Sequence, residues 1–261
     1  LEQLSNLRIR DAYDRAHAAK VERDRLGADG SRQTSARERS KATSRLRSAI
    51  QAARIIIKDE MKQLEQLTDL QDTVERASLR GSAMKRLAML ELAAGRQEAG
   101  RRAIGEMAKH YTRSVEIARE RKAENLFYPA LNLIVAEVAL HAGTPKWKGL
   151  PKALFDEARI SAQTSNKSNP DFWSLVAVPE LQLYEVVAHS NLSRSEAADI
   201  LRTFKDVVRR SRGASDLASV ADTMHFALDP YVERLVGQVK QRARELITKI
   251  DELLKPRKKV S

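Results

Sequence analysis

Five histidines, His17, His110, His141, His189 and His225, are the residues of this 261-residue chain best suited to moving protons or holding a metal. No two share the three- or four-residue spacing that sets a pair of ligands on one helical face, so no metal centre is expected. His110, His141 and His189 fall near the ends of predicted helices, where an imidazole meets unpaired carbonyls, and a structural role is expected for each. Adjacent carboxylates at Asp59–Glu60 and Asp251–Glu252 diverge by about 100° on a helix and cannot converge on one substrate atom. Glu137, Glu180 and Glu185 stand in apolar stretches, where a carboxylate must be paired or have its pKa raised; an internal arginine is the expected partner. Cysteine is absent, which removes disulfides, thiolate nucleophiles and Cys-ligated zinc. No GxSxG, P-loop or GxGxxG stretch occurs. The chain reads as non-enzymatic, with no catalytic residue, metal or cofactor expected.

Positive charge is the strongest departure from average. Lys and Arg number 47 against 35 Asp and Glu, a formal charge of +12, and an acidic protein or peptide surface is the first partner expected. Lys146 and Lys148 flank Trp147, Arg209 and Arg210 lie in "RTFKDVVRRSR", and the sequence closes on "KPRKKVS". Clustered cations attract phosphate backbones and an exposed aromatic stacks on a base, which makes these five residues candidates for nucleic-acid contact under a second reading. A third has the chain regulating a larger enzyme whose catalytic part precedes Leu1. No apolar run approaches the ~20 residues of a membrane span. With no cysteine and no apolar leader in "LEQLSNLRIRD", a cytoplasmic location without membrane contact is expected.

The elements that must position these residues are helical throughout. An amphipathic pattern over Leu1–Leu26 ends at Gly27, and the turn formers of "GADGSRQTS" precede a capping box, Ser35 with Glu38, that opens a long helix to about Leu70. Residues 1–70 form an arginine-rich charged arm, expected to dock on a neighbouring domain or subunit in preference to packing back as a cap. Residues 71–255 form the main array, and 256–261 a basic tail. A helix from Thr73 stops at Gly95; its successor buries Ala103, Ile104, Met107, Ala108, Tyr111 and Val115, with Gly81 and Ala83 facing Ala99 and Ala103 across a close contact. Apolar "ENLFYPALNLIVAEVALHAG" pairs with "PKALFDEARISAQTSN". "DFWSLVAVPELQLYEVVAHS", with Pro179 inside, precedes a helix capped by Ser193 and Glu196 that ends at Gly213. Ser215–Leu228 and Tyr231–Leu254 make a last pair split at Asp229–Pro230. Hairpins start roughly every 45 to 50 residues.

The hairpin Glu75–Tyr111, with "GSAMKRLAML" on its first helix and "GRQEA" at its turn, resembles tetratricopeptide-type helical repeats. The blocks "FYPALN" and "DFWSLVAVPELQLYE" are similar to those of bacterial tetratricopeptide-like proteins, distantly similar in turn to the TRAF-adaptor-binding region of certain protein kinases. The resemblance implies an all-α solenoid of stacked antiparallel hairpins and a protein-interaction scaffold in a larger signalling or defence assembly, multi-domain or oligomeric; it transfers no catalytic residue. In such arrays the first helix of each hairpin lines a concave groove, which makes Lys85, Glu91, Asn132 and Glu137, joined by Arg86 and Arg113, the candidate partner-binding residues.

Overall fold

The structure, a computed structural model, describes residues 1–28, 35–189, 192–210 and 214–255. Among them every regular element is an α-helix, ten in all, and none is long and apolar enough to cross a membrane. The expected stop at Gly213 and the basic tail 256–261 lie outside the described residues. The chain forms two compact units, Leu1–Ser114 and Val115–Ser261.

The first unit opens with α1 (Glu2–Ala28) and α2 (Ala36–Leu70). Helix α1 runs through Gly27, where a stop was expected. The start of α2 is fixed by its cap: the Ser35 hydroxyl accepts from the Glu38 amide at 3.2 Å, while the Glu38 carboxylate accepts from the Ser35 amide at 2.8 Å. Ala42, Leu46, Ile50, Ala53, Ile57 and Leu64 then bury one stripe of α2. Helix α1 lies antiparallel to α2, with Arg8 on Glu60 at 3.0 Å and Arg45 on Glu22 at 3.3 Å. It lies parallel to α3 (Val74–Ala93), with Glu2 on Arg76 and Tyr13 on Met89. Helices α1, α2 and α3 each touch the other two. Residues 1–70 thus pack back on α3, the alternative to an arm held free for docking. Ile9, Ala12 and Ala16 need a dry partner, and the hairpin finds one by packing back on α3.

Helix α3 begins at Thr73, whose hydroxyl accepts from the Arg76 amide at 3.1 Å, and ends at Gly95 with φ of 74°. There the Gly95 and Arg96 amides donate to the Leu92 and Glu91 carbonyls, both at 2.9 Å, closing the helix end in a Schellman motif. Helix α4 (Gln97–Glu120) returns antiparallel to α3, with the Ser78 and Ser114 hydroxyls 2.8 Å apart. Its predicted inward face, from Ala103 to Val115, is buried as expected. The contact at Gly81 differs from the small-on-small approach the sequence suggests: a Cβ there would lie 2.6 Å from Tyr111 Cε2, so the glycine leaves room for a fully buried aromatic ring.

The second unit holds α5 (Phe127–His141), α6 (Lys152–Ser168), α7 (Phe172–His189), α8 (Arg194–Arg210), α9 (Ala214–Arg234) and α10 (Gly237–Leu254). Helices α5, α6 and α7 touch one another, and α7 continues to α8. Antiparallel packing of α6 on α7 is set by Asn166 with Ser174 at one end and Phe155 edge-on to His189 at the other. The Ser193–Glu196 capping box forms, with Ile200, Phe204 and Val207 buried behind it. The expected break at Asp229–Pro230 is displaced: α9 continues through Pro230 to Arg234, and the chain turns at extended Val236 and at Gly237, φ 61°. Proline removes one hydrogen bond, while Phe226, Ala227, Leu228, Tyr231 and Val232 bury on both sides of it. Helix α9 also packs on α5, and α10 on α8. The sequence therefore folds as sequential pairs, and the last pair reaches both its predecessor α8, through α10, and the more distant α5, through α9.

Candidate interaction surface

The candidate partner-binding residues fall into two groups. Lys85 and Arg86 are half-buried on α3, where Arg86 donates to the Ser82 hydroxyl at 2.6 Å. Arg113 on α4 is bound to Asp72 at 2.7 Å. Glu91, on the same helix as Lys85, is turned inward at 3% exposure. Arg54 of α2 meets it at 2.6 Å, Arg96 binds its other oxygen, and Gln51 accepts from Arg54 at 2.9 Å. A carboxylate this dry is stable because two guanidiniums hold it. On α5, Asn132 donates to the Tyr128 carbonyl at 3.0 Å, and Glu137, half-buried, lies 3.8 Å from His141.

The other two apolar-stretch carboxylates are placed differently. Glu185 pairs with Arg159, the arginine partner expected for it, whereas Glu180 is buried one turn from Tyr184. Burial and the neighbouring Glu180 charge push the Tyr184 phenol well above its ordinary value. Glu137 faces a histidine instead of an arginine.

The basic candidates do not converge. Lys146 and Lys148 are exposed in the α5–α6 connection around half-buried Trp147. Gly149 pins this loop to the end of α7: a Cβ there would meet the Ala188 carbonyl at 2.5 Å. Arg209 and Arg210 are exposed at the end of α8. Because α8 turns back along α7, with Thr203 on Gln182, they lie toward the opposite end of α7, on the order of 20 Å or more away at 1.5 Å per residue.

Histidine placement adds one feature the sequence left unseen. His225 of α9 sits between Asp229, 3.1 Å from Nδ1, and Asp251 of α10, 3.5 Å from Nε2, and Lys255 closes on Asp251 at 3.0 Å. The hydrogen bond to Asp229 raises its pKa, against the opposing effect of burial. Asp229 at four residues' distance was legible; Asp251 needed the α9–α10 turn to be known. His110 is not at a helix end, since α4 runs on to Glu120. Burial, with the Arg80 charge, lowers its pKa to about 4. His17 stacks on Tyr13. Among the described residues no three His, Asp or Glu side chains are grouped to hold a metal.

A cleft of about 580 Å³ opens in the first unit beside the Glu91 network. Among the described residues its lining includes Arg23, Arg47 and Arg96 and no acidic residue. Compared with known proteins, the chain matches no family model, no curated protein and no solved structure.

Proposed function

We propose that this chain is a non-enzymatic interaction module of tetratricopeptide-like type, which holds an acidic protein or peptide segment on its helical faces. One observation carries the reading. Among the described residues the buried charged side chains are all glutamates, Glu60, Glu91 and Glu180, at 5%, 3% and 4% exposure. The arginines that meet Glu60 and Glu91 keep their side chains partly in water: Arg8 is 52% exposed, Arg96 40% and Arg54 26%. Among the described residues no lysine or arginine is buried, so the formal positive excess is carried by side chains that reach water. Such a surface steers acidic partners and repels basic ones.

Fluorescence anisotropy of a labelled glutamate-rich peptide, compared with its glutamine counterpart, tests the reading. The glutamate peptide should bind the intact chain and the glutamine peptide should not, with Lys85→Ala and Arg86→Ala each weakening binding a few-fold. Equal binding of the two peptides would refute an acidic partner.

A further inference from the structure

We propose that the first-unit cleft is a binding site for a small organic oxyanion, a carboxylate or phosphate monoester carried on a short apolar stem. Its volume, about 580 Å³, lies in the range of small-ligand sites. The floor is apolar: Leu46 and Ile50 present side chains that are 3% and 2% exposed overall. The rim is cationic, with one arginine each from α1, α2 and the α3–α4 turn, Arg23, Arg47 and Arg96.

Pairing does not exhaust these guanidiniums. Arg23 uses Nε on Asp24 at 2.6 Å, and Arg96 uses Nε on Glu91. Each keeps two terminal nitrogens, and Arg47 meets no charged group among the described residues. A guanidinium offers five N–H donors in a fork that matches a carboxylate or phosphate edge. Counting Arg23, Arg47, Arg54 and Arg96 against Asp24 and Glu91, the cleft and its network carry an excess of two positive charges. The turn at Gly95 contributes as well: it satisfies the Glu91 and Leu92 carbonyls internally, so these acceptors do not face an incoming anion. The C-terminal dipole of α3 and the N-terminal dipole of α4 meet at this turn and offset each other. Among the described residues no aromatic ring lines the cleft, which disfavours a nucleobase as the ligand body. The site stands apart from the acidic-partner reading and does not require it.

Isothermal titration of the intact chain with phenyl phosphate, isovalerate and inorganic phosphate tests the assignment. Phenyl phosphate or isovalerate should bind saturably with one site per chain, inorganic phosphate more weakly, and Arg47→Gln should weaken binding by about tenfold, the loss of one charge-assisted contact. Arg47 pairs with no charged group among the described residues, so the variant should keep the wild-type unfolding midpoint; Arg23→Gln gives a second, independent loss. Absence of saturable binding at about 10 mM ligand, a free energy weaker than roughly 3 kcal/mol, would overturn the site. Affinities unchanged in both variants would do the same, and inorganic phosphate binding as tightly as phenyl phosphate would remove the apolar stem from the proposal.

Discussion

At the scale of single residues, the sequence marks which positions are unusual and leaves open which way they face. Glu91 was legible as a polar group on an apolar helix. Its inward turn depends on Arg54, 37 positions earlier, and no periodicity links the two. Glu91→Gln should lower the unfolding free energy by about 2 kcal/mol by leaving Arg54 and Arg96 without their shared carboxylate; a urea titration of the variant measures this. Gly81→Ala forces a methyl group into the Tyr111 ring, and the overpacking should cost about 1–3 kcal/mol in the same experiment. His110 and His225 act in opposite directions. The folded pKa of His110 is about 4 against an ordinary 6.5, so its contribution is present above pH 6.5 and is lost as pH falls from 6.5 toward 4. The folded pKa of His225 is raised; its contribution is complete below the ordinary value and is lost as pH rises through the folded one. The urea midpoint followed against pH should therefore lose part of its acid limb in His110→Gln and part of its near-neutral decline in His225→Gln. An unchanged profile in both would contradict the assigned environments.

At the scale of elements, starts and stops were legible because capping chemistry is local. Ser35 with Glu38, Ser193 with Glu196, Thr73 and Gly95 all act where their types suggested. Ser35→Ala should cost about 1 kcal/mol, measured as a lower denaturant midpoint. Pro230 was misleading for a physical reason: a proline can remain inside a helix when the residues around it are buried, and here the turn moved to Val236–Gly237. The inward face of α4 was read correctly because its apolar positions recur every three or four residues and nothing else competes for them. The docking of α1 on α3 was not legible. Of the weak sequence stripe Leu4, Leu7, Ala12, Ala16 and Ala19, Ala12 and Ala16 are buried while Leu4 and Leu7 stay exposed, and the buried Ile9 lies outside it.

At the scale of the whole chain, helix content and sequential pairing follow from patterning, whereas contacts between distant helices, such as α5 with α9, come from shape complementarity that no window of sequence contains. The candidate surface was legible in the same partial way. Composition announced the positive excess, but that the described lysines and arginines all reach water while Glu60, Glu91 and Glu180 are buried came only from the structure. The spread of Lys146, Lys148, Arg209 and Arg210 to opposite ends of α7 disfavours one continuous nucleic-acid track, because a phosphate backbone needs closely successive cations. The most direct measurement is a side-by-side titration, in low salt, of the intact chain with a glutamate-rich peptide and with an oligonucleotide of equal length and charge. An acidic protein partner predicts saturable binding of the peptide and only weak, salt-abolished retention of the oligonucleotide. Tight oligonucleotide binding with no peptide binding would contradict it.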